Sequence, residues 1–263
     1  MKPYQNLTVD HMTLLLDPEL YDVMYFVFRN VFGVAKSDLL YERRRPAEGG
    51  RPELSMTFAS LVGRAGSAPG AAGDASMDNT IIATVQPTEP AGERSHVREM
   101  LKEHQAASHW QHIALRTPDL MAFHRHCQER GVNFITPILR DDHEDLIQVF
   151  SGELYHPEGK PSAVFFEFVQ RNPTPEAIKM LEERNRQAWF RDTTFLGLYQ
   201  EKENEYRSGK VVPFLDVELH RALKNLAAGR QVFELTEADV AEAERLMLAH
   251  GAAKGAVKGA VKA

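Results

Sequence analysis

The sequence predicts an α+β fold of two tandem βαβββ modules followed by C-terminal helices. An alternating strand pattern followed by an amphipathic helix occurs at 8–33 and again at 109–131. Runs rich in β-branched and aromatic residues, which are typical of strands, follow each of these pairs. Because the same order of elements restarts part-way along the chain, it indicates an internal duplication.

The first module begins near the N-terminus. TVDHMTLLL (8–16) alternates as a strand does, and PELYDVMYFVFRNVFG (18–33) has helical periodicity and closes on a glycine. Three further strands are predicted at 38–44, 53–62 and 79–86. Residues 63–78 are rich in Gly, Ala and Ser and cannot build a core, so they predict a flexible hairpin loop.

The second module repeats this order after an amphipathic connecting helix at 95–105. HWQHIALRT (109–117) predicts a strand, and 118–131 predicts a helix with proline at its start and glycine at its end. The remaining strands are predicted at 132–136, 145–151 and 163–170. The predicted divisions are a first module at 1–92, a connecting helix with the second module at 93–172, gating helices at 173–206 and a helical extension with a low-complexity tail at 207–263.

Composition and charge exclude several classes of protein. The 263 residues are 43% hydrophobic and 26% charged, which is ordinary for a globular chain that buries a substantial core. The formal net charge of −6 argues against nucleic-acid binding. No apolar run of about 18 residues and no apolar signal core occur, so no membrane span or export signal is predicted, and a cytoplasmic location is expected. The single cysteine, Cys127, excludes an internal disulfide and predicts a packed thiol on a helix.

One carboxylate stands in the middle of the most apolar predicted strand. AVFFEFVQ (163–170) places Glu167 among three phenylalanines. A buried, unpaired carboxylate costs roughly several kcal/mol, so such a group is neutralised, ion-paired or bound to a metal. An edge-strand glutamate facing water is the alternative, and it fits poorly with the aromatic neighbours. Glu167 is therefore a candidate metal ligand.

Two histidines occupy equivalent positions in the two modules. His11 and His112 each lie in the first strand of a module, ahead of its amphipathic helix. A single strand histidine is more often a core residue, but two at equivalent places, together with Glu167, make the set of two imidazoles and one carboxylate that holds Fe(II). Residues 83–85, the equivalent of Glu167 in the first module, offer no fourth ligand. An open metal face indicates catalysis rather than a structural site, and zinc stays an alternative metal.

The same residues carry a resemblance to a known family. VDHMTLLL, HIALRTPDL, DLIQVF and PSAVFFEFVQRN resemble the catalytic domain of 4-hydroxyphenylpyruvate dioxygenases, members of the vicinal oxygen chelate superfamily, over about residues 8–206. The resemblance implies the half-barrel sheets of that superfamily. It also places the family's iron ligands on His11, His112 and Glu167. It covers the catalytic half alone, without the N-terminal domain of typical members.

The resemblance implies a set of pocket residues as well. Ser55 falls on the family's pocket serine, and a gating helix at 193–206 would shield the substrate through Phe195. The spacing in that helix predicts one apolar face and, from Glu201, one solvated acidic face. The other matches to pocket positions are Gln111, Gln148, Phe150 and Phe165. For these four, hydrogen bonding within the sheet or plain core packing is the alternative.

Two pocket positions depart from the family pattern. Val85 stands where the family has an asparagine, and His96 stands where it has a glutamine. A site that hydrogen-bonds a substrate hydroxyl rejects analogues that lack it, so valine in place of an amide removes part of the preference for a phenol. The reaction class is therefore better indicated than the substrate.

The expected function is that of a non-heme Fe(II)- and O2-dependent dioxygenase that decarboxylates a 2-oxo acid and oxidises its side chain. The expected partners are the small 2-oxo acid and O2, with no nucleic acid and no membrane. Two alternatives remain on the same fold: a ring-cleaving extradiol dioxygenase, with His96 as the candidate acid–base residue, and a non-catalytic ligand-binding protein. The intact set of three ligands favours an enzyme.

Beyond residue 206 the resemblance ends. Two amphipathic helices are predicted at 211–229 and 236–251, the second starting with a capping pair of Thr236 and Asp239. They are expected to pack on the domain or on a second subunit, so a homo-oligomer is one expected state. The final AAKGAVKGAVKA predicts a frayed helix end or a disordered tail.

Overall fold

The computed structural model describes residues 2–36, 39–43, 55–62, 80–87, 95–141, 145–184, 201–202 and 204–260. The chain divides into two units, Thr8–Leu115 and a second made of Met1–Leu7 with Arg116–Ala263. The first unit holds the first module and nearly all of the first strand of the second module. The second unit holds the rest of the second module and the C-terminal helices.

The first unit contains the strands β1 (Thr8–Leu16), β2 (Leu39–Arg43), β3 (Ser55–Val62), β4 (Thr80–Pro87) and β5 (Ser108–Arg116). They lie in the order β2-β3-β4-β1-β5. β1 and β4 are parallel, with His11 paired to Ile81 and Leu15 to Val85, whereas β3 is antiparallel to β2 and β4. A parallel pair cannot be joined by a tight turn, so the chain between β1 and β4 includes a helix.

That helix, α1 (Pro18–Asn30), begins where the sequence predicts. The Asp17 carboxylate caps it by accepting a hydrogen bond from the Glu19 N–H at 3.0 Å, and a proline occupies its first position. Its inner face buries Tyr21 and Phe28 in a core cluster beside β1. Helix α2 (His96–Glu103) lies between the modules in sequence.

The second unit contains helix α3 (Leu120–Glu129) and the strands β6 (Leu139–Asp141), β7 (Leu146–Glu153) and β8 (Phe165–Arg171), in the order β8-β7-β6. β7 is antiparallel to β6 and to β8. The prediction of a strand at 132–136 is wrong, since Val132 and Phe134 form only isolated bridges there. The Asn133 N–H donates instead to the Phe214 carbonyl at 3.0 Å, because the C-terminal chain runs beside this segment.

The α+β class and the two tandem βαβββ modules are confirmed. The first module runs β1, α1, β2, β3, β4 and the second runs β5, α3, β6, β7, β8. In each module the three later strands are antiparallel neighbours in chain order. This element order agrees with the tandem-module fold that the resemblance implies.

The C-terminal part of the second unit is helical, with α4 (Pro175–Arg184), a helical stretch at 201–202 and 204–208, α5 (Val217–Leu226) and α6 (Glu237–Ala260). The predicted capping pair is confirmed. The Thr236 N–H donates to Asp239 Oδ2 at 2.8 Å, and the Asp239 N–H donates to Thr236 Oγ1 at 3.4 Å. The low-complexity end of the chain continues α6 as far as Ala260.

No helix in the described residues combines the length and the apolar content that crossing a membrane requires. The packed-thiol prediction for Cys127 is confirmed, because this side chain is buried on α3. Burial raises the pKa of its thiol to about 12, so it stays protonated at neutral pH and is a poor nucleophile.

Candidate metal centre

His11 lies in β1, and its ring is oriented by the residue before it. His11 Nδ1 lies 3.0 Å from Asp10 Oδ1, and the Asp10 side chain is fully buried. An ionised carboxylate only accepts hydrogen bonds, so the His11 proton is assigned to Nδ1. In the neutral ring the Nε2 atom then holds the lone pair that a metal would bind.

His112 in β5 has the same arrangement. Its Nδ1 lies 3.2 Å from Oε1 of Gln111, and both side chains are buried. An amide oxygen also only accepts, so Nδ1 again carries the proton and Nε2 the lone pair. Each module thus pairs its strand histidine with a hydrogen-bond acceptor one residue earlier.

The two histidines meet through these Nε2 atoms. His11 Nε2 and His112 Nε2 lie 3.3 Å apart, and the rings are edge-on, with centroids 5.4 Å apart at 81°. The Thr13 hydroxyl lies 2.9 Å from His112 Nε2 and is placed to donate to it. A metal ion bound by both Nε2 atoms would replace this hydroxyl as the partner of the His112 lone pair.

Glu167 lies near the middle of β8 in the second unit and is 2% exposed. The next side chain along the strand, Phe168, packs edge-on against Phe123 on α3, with ring centroids 4.9 Å apart. Glu167 itself lies on the other face of the strand, in register with Phe150 on β7. The alternative of an edge-strand glutamate facing water is therefore wrong.

His11, His112 and Glu167 form a group that can hold a metal ion. Each offers one ligand atom, and these atoms all lie within 4.8 Å of one another. Two imidazole nitrogens and one carboxylate oxygen are the donor set of Fe(II) sites that keep coordination positions open, and zinc accepts the same donors. The three ligands chosen from the sequence are thus brought together.

Three predicted pocket residues share a face of the second unit's sheet with Glu167. Register places Phe150 opposite Glu167, and Gln148 and Phe165 lie two residues from these along the same strands. Phe150 and Phe165 are buried, with ring centroids 6.2 Å apart in an edge-on pair. Both belong to a core cluster with Leu139, so core packing remains the alternative and their pocket role stays a prediction.

The remaining predicted pocket residues that the structure describes lie on β5, β4, α2 and β3. Gln111 bonds to His112, and Val85 is buried on β4 in register with Leu15. His96 is buried as the first residue of α2, and Ser55 is the first residue of β3. Phe195 and the predicted gating residues 193–200 lie outside the described residues.

Sequence reasoning missed the residues that support the site. The Asp-His and Gln-His pairs are visible at 10–11 and 111–112, but the sequence patterns did not single out Asp10 and indicated Gln111 only as a pocket residue. The solvated acidic face predicted from Glu201 is wrong in part: Glu201 is exposed, whereas Lys202 and Glu205 are buried. One partner of Lys202, Glu153, lies 49 residues away in sequence, so no local pattern marked the burial of this lysine.

No protein-family model matches this chain, and no curated protein matches it. Several solved structures do match this chain. A triple mutant of 4-hydroxymandelate synthase from Streptomyces coelicolor is similar at 18% identity with a TM-score of 0.45, over 69% of this chain and 56% of the synthase. The matched region thus spans little more than half of that enzyme.

Methylmalonyl-CoA epimerases are similar too. The enzyme from Mycobacterium tuberculosis matches at 20% identity and a TM-score of 0.40, over 65% of this chain and 91% of the epimerase. A Streptomyces coelicolor epimerase in complex with 2-nitronate-propionyl-CoA matches at 16% identity and a TM-score of 0.41, over 63% and 97%.

Proposed function

We propose that this chain is an Fe(II)- and O2-dependent dioxygenase that decarboxylates a 2-oxo acid and oxidises its side chain, in the manner of 4-hydroxyphenylpyruvate dioxygenases. The observation that supports it is the group of His11, His112 and Glu167, with ligand atoms within 4.8 Å of one another. This donor set occupies one side of a metal and leaves the other side for ligands.

The charge of the ligand set fits an anionic substrate. Two neutral imidazoles and one carboxylate leave a divalent ion with one net positive charge, which the carboxylate of a 2-oxo acid balances. When bound, Fe(II) supplies the chemistry that activates O2 and the 2-oxo group, as the resemblance implies. The residues of the chain supply the binding, the orientation and the exclusion of water.

Each protein group has a definite task in this proposal. Asp10 and Gln111 hold the two rings with Nδ1 protonated, so that both Nε2 atoms face the ion. Glu167 supplies the single negative charge. Phe150 and Phe165, on the same sheet face, keep water from the carboxylate and offer an apolar surface to the substrate side chain.

The proposal is tested by following O2 consumption and CO2 release with a panel of aromatic and aliphatic 2-oxo acids, using protein loaded with Fe(II) or Zn(II). We expect stoichiometric O2 use and CO2 release with at least one 2-oxo acid and Fe(II), and none with Zn(II). A catechol is tested as a substrate in the same panel. Ring cleavage of the catechol with no CO2 release from any 2-oxo acid would contradict the proposal in favour of an extradiol enzyme, and inactivity in every arm would favour a binding protein.

A further inference from the structure

A buried cluster of charges lies at the end of β7, in the second unit. The Lys202 ammonium lies 2.8 Å from Glu153 Oε1 and 2.7 Å from Glu205 Oε2. The side chains of Lys202 and Glu153 are fully buried, and that of Glu205 is 9% exposed. Burying charged groups is costly unless every one is paired and hydrogen-bonded, so such a cluster is held in a single geometry.

The carboxylate oxygens in the cluster are well satisfied. Glu153 Oε2 accepts from the Ala163 N–H at 2.9 Å, and Oε1 also accepts from the Tyr206 hydroxyl at 3.3 Å. Glu205 Oε1 accepts from the Val212 N–H at 3.0 Å. Because backbone groups fix both carboxylates, the ammonium of Lys202 between them is fixed as well.

This ammonium lies over an aromatic ring on β8. The Lys202 Nζ atom is 5.0 Å from the centroid of the Phe165 ring, within the range of a cation–π contact. The edge-on contact with Phe150 holds the same ring from another side. The plane of Phe165 is thus set by a fixed charge and a fixed ring.

We infer that Lys202 is a positioning residue that fixes the plane of Phe165 and thereby sets the preference of the site for an aromatic 2-oxo acid. Phe165 and Glu167 lie two residues apart in β8, so their side chains leave the same face of the strand. A ring locked in one plane matches a planar substrate group, whereas a ring free to change rotamer does not. This inference rests on the proposed function, in which Phe165 lines the pocket.

The test compares an aromatic and a small 2-oxo acid. Anaerobic protein loaded with Fe(II) is titrated with phenylpyruvate and with 2-oxobutyrate. The variant is K202M/E153Q, which removes the ammonium and neutralises Glu153, the fully buried one of its two carboxylate partners. We expect phenylpyruvate to bind about tenfold more weakly and 2-oxobutyrate to be unchanged within about twofold. K210M, which removes an exposed lysine of the same unit, is the matched control.

A double-mutant cycle shows whether Lys202 acts through Phe165. F165L alone should weaken phenylpyruvate binding, and adding K202M/E153Q to F165L should cause little further loss. K202R, which keeps the charge, should recover part of the affinity for phenylpyruvate. Equal weakening of both acids, or losses that add up in the cycle, would overturn the positioning role. Wild-type protein that binds Fe(II) but neither acid would instead overturn the proposed function, and this inference with it.

Discussion

The two modules begin alike and end differently. Each has a buried or half-buried histidine in its first strand, with a hydrogen-bond acceptor one residue earlier. At the last strand the first module has small and apolar residues at 83–85, of which Val85 is 2% exposed, whereas the second has Glu167. Duplication of one strand pattern therefore provides two equivalent candidate nitrogen ligands. The difference at the last strand provides a single candidate carboxylate ligand.

The largest effect is expected from removing that carboxylate. Glu167→Gln keeps the size of the side chain but loses the charge that balances Fe(II), and Glu167→Ala loses the ligand altogether. We expect both variants to lose turnover and nearly all bound iron, measured as metal content after anaerobic loading and desalting. His11→Ala and His112→Ala should behave in the same way.

Glu158→Gln is the matched control for this change, because Glu158 is an exposed glutamate of the same unit, paired with Arg221 on the surface. It should bind iron as the wild type does. Wild-type iron content in the Glu167→Ala protein would show that the carboxylate ligand is assigned wrongly.

The next effect compares the two acceptors that orient the histidines. Asp10→Asn and Gln111→Leu each disturb the hydrogen bond to Nδ1, and such supporting bonds are worth about 10- to 100-fold in metal affinity. Asp10→Asn should have the larger effect, because a hydrogen bond to a buried carboxylate is stronger than one to an amide. Titration with Co(II) measures the metal affinity of both variants. Unchanged affinity in both variants would show that the rings are held by other contacts.

The difference at the last strand of the first module also predicts substrate preference. Val85→Asn together with His96→Gln restores amides at two predicted pocket positions. A hydrogen bond to a buried hydroxyl is worth about 1–3 kcal/mol, a factor of about ten to a hundred. The double variant should therefore gain kcat/KM on 4-hydroxyphenylpyruvate relative to other 2-oxo acids. If the wild type already uses that acid efficiently and the variant gains nothing, these positions do not set specificity.

The smallest effect concerns the C-terminal extension, which has no counterpart in the first module. Burial raises the pKa of Asp216, but hydrogen bonds from Lys254, Asn133 and His250 outweigh it and lower the pKa from 3.8 to about 2. A carboxyl group whose pKa is lower in the folded protein than in the unfolded chain stabilises the fold at pH values above its unfolded-state pKa. This contribution, about 1 kcal/mol after solvent screening, should be lost as the pH falls from about 4 to 2.

Urea unfolding at a series of pH values measures this contribution. Asp216→Asn should lower the stability at pH 7 and flatten the pH dependence between pH 4 and 2. An unchanged pH profile in the variant would show that Asp216 does not anchor α6.

The site was predictable where local pattern and duplication agree. His11 and His112 were found because the same strand–helix order occurs twice, and Glu167 because a charge among the apolar side chains of β8 needs a partner. The burial of Lys202 was not predictable, since its partner Glu153 lies 49 residues away and its own neighbours are charged. The wrong prediction of a strand at 132–136 has the same cause, because the backbone partners of this segment are divided between residues 150–152 and residues 214–215.

The central claim is that one Fe(II) ion bound by these three side chains accepts a 2-oxo acid. Anaerobic addition of a 2-oxo acid to protein loaded with Fe(II) tests it most directly. The wild type should develop a weak visible charge-transfer band that saturates with the acid, and Glu167→Gln should not. Absence of the band in wild-type protein shown to hold both iron and the acid, or its persistence in Glu167→Gln, would contradict the account.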